Sequence, residues 1–369
     1  MNNSLISQSE PVDNINIASQ QVLLTPRELK QKMPLNESGA DFVAASRQTI
    51  ANIIQGKDSR ILAVVGPCSI HDIKSAKEYA LKLKALHNQL EDRLFIVMRV
   101  YFEKPRTSVG WKGLINDPHL NNSFDIEQGL TTARELLLWL AELGLPAATE
   151  MLDPIIPQYL SELISWTAIG ARTSESQTHR EMASGLSMPV GFKNNTSGSA
   201  GAAINAMKAA SSSHSFLGIN QQGQVTLLNT KGNPNGHVIL RGGNEPNYHP
   251  EQVKAYQQRL TESGLADKII IDCSHANSGK DFRQQPRVLE SLLDQIVAGN
   301  TSIIGFMLES HLNEGQQSIP EDGVTMQYGV SITDGCIDWK TTEISLTAAA
   351  DQLRDVKTHG QALQNGVTF

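Results

Sequence analysis

Residues 94–100 read LFIVMRV, a short run rich in Leu, Ile and Val that is typical of a buried parallel strand. Three other runs have the same character: ILAVVGP 61–67, KIIIDCS 268–274 and SIIGFMLES 302–310. Five further strand candidates are PAATE 146–150, TAIGA 167–171, PVGFK 189–193, SFLGI 215–219 and HVILRG 237–242. These runs predict a protein built around one sheet of mainly parallel strands.

Helical patterns separate the strand candidates. Residues 73–90 and 126–143 each place apolar side chains on one face, and Pro250 and residues 286–298 mark two more helices. Eight of the nine runs would close a barrel, and the ninth would form an inserted hairpin with QVTLLN 224–229. An open doubly wound sheet is the rival, but no G-x-G-x-x-G turn follows the first strand. We therefore expect an α/β protein with a (β/α)8 TIM barrel.

The barrel is expected to span residues 55–369. Residues 1–54 would form an N-terminal extension for regulation and oligomerisation, which begins with a polar arm at residues 1–20. Thr25 and Pro26 predict the start of a helix in this extension.

Composition limits the class of function. The net charge is −7 and the cations are scattered, which argues against nucleic-acid binding. No apolar run approaches the roughly 20 residues of a membrane span, and the N-terminus lacks a signal-peptide pattern. The three cysteines, Cys68, Cys273 and Cys336, are too few and too scattered for a disulfide framework. These features predict a cytoplasmic protein without nucleic-acid or membrane partners.

Cations are concentrated where strands end. Residues 98–113, MRVYFEKPRTSVGWKG, contain four cations and one acid, Glu103. Six cations would meet at the mouth of the barrel: Arg99, Lys104, Arg106, Arg172, Lys193 and Arg241. They would repel one another unless multiply charged ligands, such as two phosphorylated substrates, neutralise them. The alternative is scattered pairing with Glu103, Glu150 and Glu175.

A second candidate set is Cys68, His275, Glu309 and Asp334. A thiolate, an imidazole and two carboxylates would suit Mn, Fe, Co, Zn or Cu better than Mg or Ca. The spacing has no finger-like signature, so alternatives stay open at this point. Cys68 could fill the core, and His71 or His311 could compete as ligands.

Several ordered motifs resemble those of the type I 3-deoxy-D-arabino-heptulosonate 7-phosphate (DAHP) synthases, which open aromatic amino-acid biosynthesis in microbes. The motifs are GPCSIHD 66–72, MRVYFEKPRTSVGWKGLINDP 98–118, IGARTSESQTHRE 169–181, PVGFKN 189–194, ILRGG 239–243, DCSHANS 272–278 and ITDGCI 332–337. The resemblance extends from about Val22 to Trp339. KPRTS stands where KPRTT is more usual, and NNTSG 194–198 replaces NGTDG.

The resemblance implies a (β/α)8 barrel, a divalent metal ion, and condensation of phosphoenolpyruvate with erythrose 4-phosphate. It implies metal ligation by Cys68, His275, Glu309 and Asp334. It implies phosphoenolpyruvate contacts from Arg99, Lys104, Glu150, Ala171, Arg172, Lys193 and Arg241. Arg106 and Thr107 would hold the phosphate of erythrose 4-phosphate, and the catalytic group would comprise Lys104, Arg99, Cys68 and His275.

The resemblance is strongest to the tyrosine-inhibited members of this family. It implies an effector cavity at Pro157, Gln158, Ser187, Phe216 and Gly218, where glycine would leave space for a phenolic hydroxyl. A neighbouring subunit's N-terminal arm would help to form this cavity, so we expect a homo-oligomer, either a dimer or a tetramer.

Two alternative functions remain open at the level of sequence. One is the related condensation that makes 3-deoxy-octulosonate 8-phosphate from arabinose 5-phosphate. The other is a non-catalytic barrel that binds sugar phosphates, although such a sensor has no need of the whole Cys68, His275, Glu309 and Asp334 set.

Overall fold

The computed structural model describes residues 12–320 and 325–364. In chain order its strands are β1 Ile61–Gly66, β2 Leu94–Arg99, β3 Ala147–Glu150, β4 Trp166–Ile169, β5 Val190–Lys193, β6 Ser215–Ile219, β7 Val225–Asn229, β8 Gly236–Leu240, β9 Ile269–Asp272 and β10 Ile303–Glu309. Eight of them close into a barrel in the order β1-β10-β9-β8-β5-β4-β3-β2. All the pairings within the barrel are parallel. The predicted (β/α)8 barrel is confirmed.

The helices surround this barrel and extend it at the N-terminus. They are α1 Pro26–Lys32, α2 Glu37–Ile54, α3 Ile73–Leu90, α4 Ile126–Leu143, α5 Pro157–Leu160, α6 Gln177–Gly185, α7 Ala200–Ala210, α8 Pro250–Glu262, α9 Gln285–Val297 and α10 Trp339–Gln364. Short 3₁₀ turns occupy Ser161–Leu163 and Phe282–Gln284. No helix among the described residues is both long enough and apolar enough to cross a bilayer.

Local sequence signals place the helix ends. The carboxylate of Asp72 accepts hydrogen bonds from the first amides of α3, and Gly144 ends α4 in the left-handed conformation at φ +73°. Thr25 and Glu28 form a reciprocal capping box at the start of α1, with Pro26 in its first turn. The predicted bounds 73–90 and 126–143 therefore agree with the structure.

The barrel interior has its own apolar core. Leu62, Val64, Phe95, Val97 and Met307 belong to one buried cluster inside the ring of strands. Ile50, Ile53 and Ile54 of α2 join the same cluster. Because α2 immediately precedes β1, it covers the N-terminal end of the barrel, and each such buried side chain contributes about 1.5–3 kcal/mol. The opposite, C-terminal end is left for the loops.

The ninth strand candidate forms the predicted hairpin. β6 pairs antiparallel with β7, with Phe216 opposite Leu228 and Leu217 opposite Leu227. The hairpin is inserted between α7 and β8. A domain boundary at residues 54 and 55 remains a prediction, and residues 1–11 of the expected arm lie outside the described residues.

Candidate active site

A cavity of about 430 Å³ opens at the C-terminal ends of the barrel strands. Ten of the residues singled out in the sequence line it: Lys104, Arg106, Glu150, Ala171, Arg172, Lys193, Arg241, His275, Glu309 and Asp334. Arg99 and Cys68 are buried side chains that contact this set through Lys104 and Glu309. Parallel strands end at one edge of the sheet, so residues far apart in the chain converge here.

Arg99 and Lys104 occupy the innermost part of the site. The guanidinium of Arg99 donates from Nη2 to Glu309 Oε1 at 3.2 Å and from Nε to the Pro67 carbonyl at 3.3 Å. Its Nη1 is buried and has no partner among the described residues. The ammonium of Lys104 donates to the carbonyl oxygen and to the Sγ of Cys68, both at 3.2 Å. A buried guanidinium nitrogen without a partner is a donor that a ligand could satisfy, and Arg99 itself is not among the residues that line the cavity.

Lys193 belongs to a second buried charge network. Its Nζ lies 3.0 Å from Asp272 Oδ2, and both side chains are almost fully buried. The same carboxylate lies 3.0 Å from Nδ1 of His275 and accepts from the hydroxyl of Ser274 at 2.6 Å. Burial alone would raise the pKa of Asp272, but the charge of Lys193 and the hydrogen bonds from His275 and Ser274 hold it well below its usual range. Asp272 is therefore ionised and orients both neighbours.

The outer cations, Arg106 and Arg172, differ from the inner ones because their side chains are exposed to solvent. Arg106, Thr107 and Arg172 are exposed, and Nε of Arg172 donates to Oγ1 of Thr107 at 2.9 Å. Nε of Arg106 donates to the Trp111 carbonyl at 2.7 Å, which fixes the start of its guanidinium and leaves the terminal nitrogens outward. Exposed side chains held at one end are suited to binding an anion that arrives from solvent.

The six cations do not pair with the acids named in the sequence alternative. Within the described part of the chain their ion pairs are Arg99 with Glu309 and Lys193 with Asp272. Glu103 is buried and accepts a hydrogen bond from the Asp153 amide at 3.2 Å. Burial, with the nearby charge of Asp153, raises the pKa of Glu103 to about 8, so it is largely protonated at neutral pH.

Glu150, Ala171 and Arg241 complete the wall of the cavity. Glu150 is buried and its Oε1 has no partner among the described residues. A Cβ at Gly170 would collide with this carboxylate, so only glycine fits beside it. Arg241 is half-buried, and burial lowers its pKa from the usual value, which makes a neighbouring anion more favourable there.

Cys68, Glu309 and Asp334 form a cluster with one potential ligand atom from each residue, and these atoms all lie within 4.8 Å of one another. Cys68 and Glu309 are buried, whereas Asp334 is exposed. Burial, reinforced by the Glu309 carboxylate and opposed by Lys104, raises the pKa of the Cys68 thiol to about 11. A thiol and two carboxylates fit a divalent transition metal, which would convert the thiol to a thiolate on binding.

His275 lies at the edge of this cluster. Its Nε2 is 3.9 Å from Asp334 Oδ2, and its backbone has φ +55°, a conformation that is uncommon for a residue other than glycine. Because Nδ1 faces the ionised Asp272, the ring proton belongs on Nδ1 and the lone pair of Nε2 faces Asp334. Carboxylates orient metal-ligating histidines in this way. His71 and His311 are buried outside the three-residue cluster.

The expected effector residues line a separate cavity of about 440 Å³. Pro157, Gln158, Ser187 and Phe216 border it, together with Leu228 of the hairpin. Gly218 is not in its wall, because the side chain of Leu228 covers this glycine. A Cβ built at Gly218 would lie 2.5 Å from Leu228 Cδ1, so the glycine creates room for Leu228 rather than directly for a ligand.

Several polar residues at or behind the cavity received no role in the sequence analysis, and Asp272 and Gln285 are two of those behind it. Asp272 stands at the end of β9, and Gln285 brackets the Glu309 backbone with bonds of 2.8 Å and 2.9 Å. The position of Asp272 at a strand end was a usable signal. Gln285 lies in an ordinary helix sequence, and nothing in the chain marks it.

A closed barrel with these cations and this thiol–carboxylate cluster at one mouth defines a (β/α)8 protein with a cation-lined cavity beside a candidate metal site. The model of the DAHP synthetase I family matches residues 32–347, and the chain belongs to this family. The resemblance inferred from the motifs is therefore confirmed.

Individual relatives agree with this assignment. The chain is 58% identical over 339 residues to the Tyr-sensitive phospho-2-dehydro-3-deoxyheptonate aldolase of Escherichia coli K12, covering 92% of this chain and 95% of that protein. It is 53% identical over 342 residues to the Phe-sensitive enzyme of the same strain, covering 93% and 97%. A solved structure of the aldolase from Francisella tularensis SCHU S4 superposes with a TM-score of 0.89 at 48% identity, covering 92% of this chain and 99% of that one.

Proposed function

We propose that this chain condenses phosphoenolpyruvate with D-erythrose 4-phosphate and water, giving 3-deoxy-D-arabino-heptulosonate 7-phosphate and phosphate as the first step of the shikimate pathway. The observation that carries the proposal is one cavity lined by Lys104, Arg106, Arg172, Lys193 and Arg241, with Arg99 buried against Glu309 of its wall, beside the cluster of Cys68, Glu309 and Asp334. The family membership and the two aldolase relatives support it.

The inner cations bind the enol donor. Phosphoenolpyruvate carries a carboxylate and a phosphate. Lys104, Lys193 and Arg241 offer charged donors in the cavity, and the buried Arg99 contacts Glu309 of the same wall and keeps Nη1 without a partner among the described residues. Arg172 and the backbone at Ala171 lie on the wall where a phosphate can be held. Holding both ends of the donor fixes its C3 carbon toward the aldehyde and removes the orientational cost of the reaction.

The outer residues bind the aldose phosphate. Arg106 and Thr107 lie on the exposed side, where the phosphate of erythrose 4-phosphate can bind with the aldehyde directed inward. Cys68, His275, Glu309 and Asp334 would hold a divalent metal ion of the Mn, Fe, Co or Zn class. That ion supplies Lewis acidity at the aldehyde oxygen when it is bound.

Bond formation then joins C3 of phosphoenolpyruvate to the aldehyde carbon. Water adds at C2, and the C–O bond breaks to release phosphate. Glu150 Oε1 is a buried acceptor without a partner in the described structure, so it can accept a hydrogen bond from this water. Lys104 Nζ, 3.2 Å from Cys68 Sγ, holds a proton beside the metal-ligating cluster and is the candidate donor to the new alkoxide.

Tyrosine is the proposed feedback inhibitor, and the cavity between α5, α6 and the hairpin is its proposed site. Identity to the Tyr-sensitive relative exceeds identity to the Phe-sensitive one, 58% against 53%. The cavity offers polar groups at Gln158 and Ser187 beside the aromatic ring of Phe216. A phenolic amino acid needs this combination of apolar and polar contacts.

A homo-oligomer is proposed as the working form. One face of the hairpin exposes Leu217, Val225 and Leu227 by 77%, 77% and 60%. Grouped apolar side chains on an exposed face are typical of an interaction surface. Light scattering of the wild type and of Leu217→Lys tests whether this face joins two copies.

One assay tests the main proposal. Loss of phosphoenolpyruvate is followed with erythrose 4-phosphate, with and without a chelator, and then with tyrosine, phenylalanine or tryptophan. Consumption that requires erythrose 4-phosphate and stops with chelator is expected. Preference for arabinose 5-phosphate would favour the octulosonate reaction, and bound phosphates without any turnover would favour a sensor.

A further inference from the structure

Tyr101 is a buried aromatic residue just beyond β2, between two of the cations of the site. It is 1% exposed and belongs to the apolar cluster inside the barrel, with Val97 and Phe95 of the same segment. Alternate residues of this segment therefore point inward, and Tyr101 is the last of them. Its ring lies where the apolar interior of the barrel meets the charged cavity.

The face of this ring contacts two of the inner cations, Arg99 and Lys104. The guanidinium carbon of Arg99 lies 4.0 Å from the ring centroid, and Nζ of Lys104 lies 5.7 Å from it. These distances are typical of cation–π contacts, which gain strength where water is excluded. The ring thus packs against two positive charges of the site at once.

The remaining contacts of Arg99 show why this support matters. Nε and Nη2 are bound to Pro67 and Glu309 along one edge of the guanidinium, which leaves its plane free to tilt about that edge. The guanidinium lies over the Tyr101 ring, with its carbon 4.0 Å from the ring centroid, and this packing restricts the tilt. Nη1, the nitrogen without a partner among the described residues, is then held in one direction.

The hydroxyl of Tyr101 makes no hydrogen bond that the described structure shows. Burial raises the pKa of this phenol above its usual range, although Arg99 opposes the rise, so the ring is neutral at physiological pH. Removing the hydroxyl breaks no bond within the described residues, whereas removing the ring removes the face that contacts both cations.

We propose that Tyr101 is a positioning residue whose ring holds Arg99 and Lys104 in the orientation that binds phosphoenolpyruvate. This inference rests on the proposed function for the identity of the anion. In this proposal an aromatic side chain, rather than another charged group, orients the cations that bind phosphoenolpyruvate.

Two variants separate the ring from the hydroxyl. In Tyr101→Leu we expect KM for phosphoenolpyruvate to rise roughly tenfold while KM for erythrose 4-phosphate stays within about twofold. In Tyr101→Phe, which keeps the ring, both values should stay within about twofold of the wild type. Calorimetric titration of phosphoenolpyruvate into the Mn²⁺-loaded protein gives the same comparison without turnover.

The matched control is Phe95→Leu. Phe95 lies on the same strand and in the same interior cluster, and its ring contacts Arg60 at 5.2 Å, outside the site. The Phe95→Leu variant should have a lower unfolding temperature but an unchanged affinity for phosphoenolpyruvate. If Tyr101→Leu does not fold, Tyr101→Met replaces it, because the flexible thioether fills irregular space without an aromatic face.

An unchanged phosphoenolpyruvate affinity in Tyr101→Leu, or an equal loss in Tyr101→Phe, overturns the inference. Failure of the proposed function is recognised separately, in the wild type. A wild-type protein that binds phosphoenolpyruvate but does not consume it with erythrose 4-phosphate refutes that function, and the calorimetric comparison still decides the role of Tyr101.

Discussion

The ammonium nitrogen of Lys104 lies 3.2 Å from the sulfur of Cys68. This contact joins the two sets of residues that the sequence presents separately, the cations and the thiol–carboxylate cluster. A lysine of the donor subsite therefore touches a candidate metal ligand. Both proposed substrates would meet at this point, which is where the new carbon–carbon bond has to form.

Cys68→Ala should abolish metal-dependent turnover while leaving the fold intact, because it removes the sulfur ligand and leaves only the His275 imidazole and two carboxylates. We expect turnover to fall by about 100-fold or more, since even residues that only orient metal ligands cost 10–100-fold when removed. Metal content, circular dichroism and phosphoenolpyruvate consumption measure this. Cys273→Ala, a buried cysteine outside the cluster, is the control. Full activity of Cys68→Ala in the presence of a chelator would contradict the assignment of Cys68 as a ligand of a required metal ion.

Arg106→Ala should weaken the binding of the aldose phosphate selectively. Losing a charged hydrogen-bond donor costs roughly tenfold to 100-fold in KM for erythrose 4-phosphate, with a smaller effect on phosphoenolpyruvate. Lys112→Ala is the matched control, because this exposed cation belongs to the same basic run but does not line the cavity. Equal effects of the two variants would mean that general positive charge, rather than the position of Arg106, attracts the substrate.

Asp272→Asn should lower the free energy of unfolding by about 3–5 kcal/mol, because it leaves the buried ammonium of Lys193 without its counter-charge. Urea denaturation measures this. The control is Glu314→Gln, which breaks the exposed pair with Arg283 and should leave stability unchanged. A stable Asp272→Asn protein would show that Lys193 finds another partner or gives up its proton.

Stability should fall as the pH drops from about 6.5 to 4, and His237 should account for part of the fall. Trp166 donates its indole N–H to Nε2 of His237 at 3.1 Å, and burial lowers the pKa of this histidine from 6.5 to about 4. Between these values the unfolded chain binds a proton that the folded chain excludes. The contribution of His237 to the free energy of unfolding is therefore fully present above pH 6.5 and declines by about 3 kcal/mol as the pH falls toward 4.

His237→Gln tests this assignment, since the glutamine oxygen can accept the same indole N–H without titrating. The slope of the free energy of unfolding against pH, measured by urea titration, should become shallower by up to one proton in this window. An identical slope in the variant would assign the acid sensitivity to other buried histidines, such as His87.

Gly218→Ala should reduce inhibition by tyrosine with little change in uninhibited turnover. The added Cβ would lie 2.5 Å from Leu228 Cδ1 and would push this side chain, which borders the effector cavity. Gly201→Ala is the control, because the nearest atom to its new Cβ is 3.6 Å away. Turnover is measured against tyrosine concentration at fixed substrate concentrations for the wild type and both variants. Unaltered tyrosine inhibition in Gly218→Ala would place the effector elsewhere.

Much of the fold was predictable because its signals are local. Apolar runs mark the eight barrel strands, and the helices at 73–90 and 126–143 carry their own caps at Asp72 and Gly144. The hairpin at 215–219 and 225–229 was also predictable, because the runs SFLGI 215–219 and QVTLLN 224–229 are separated only by the short polar segment 220–223. Motif resemblance added the family and a list of candidate site residues.

The geometry of the site was not predictable in the same way. The left-handed backbone of His275, the shared carboxylate of Asp272 and the ring of Tyr101 beneath two cations depend on neighbours that are distant in the chain. At Gly218 the sequence indicated open space, whereas the structure shows that Leu228 fills it. Each of these differences arises from packing between elements, which no local pattern records.

Local patterns in the sequence are enough to predict the strands, the helices, the family and the residue types that could perform the chemistry. Which of those residues touch depends on long-range packing. Closure of the barrel supplies it: β1 pairs with β10 so that Gly66 lies opposite Glu309, and this register brings the first and last strands of the barrel side by side at one rim. Cys68 and Glu309 become neighbours through that pairing, and Lys104 then contacts the sulfur of Cys68.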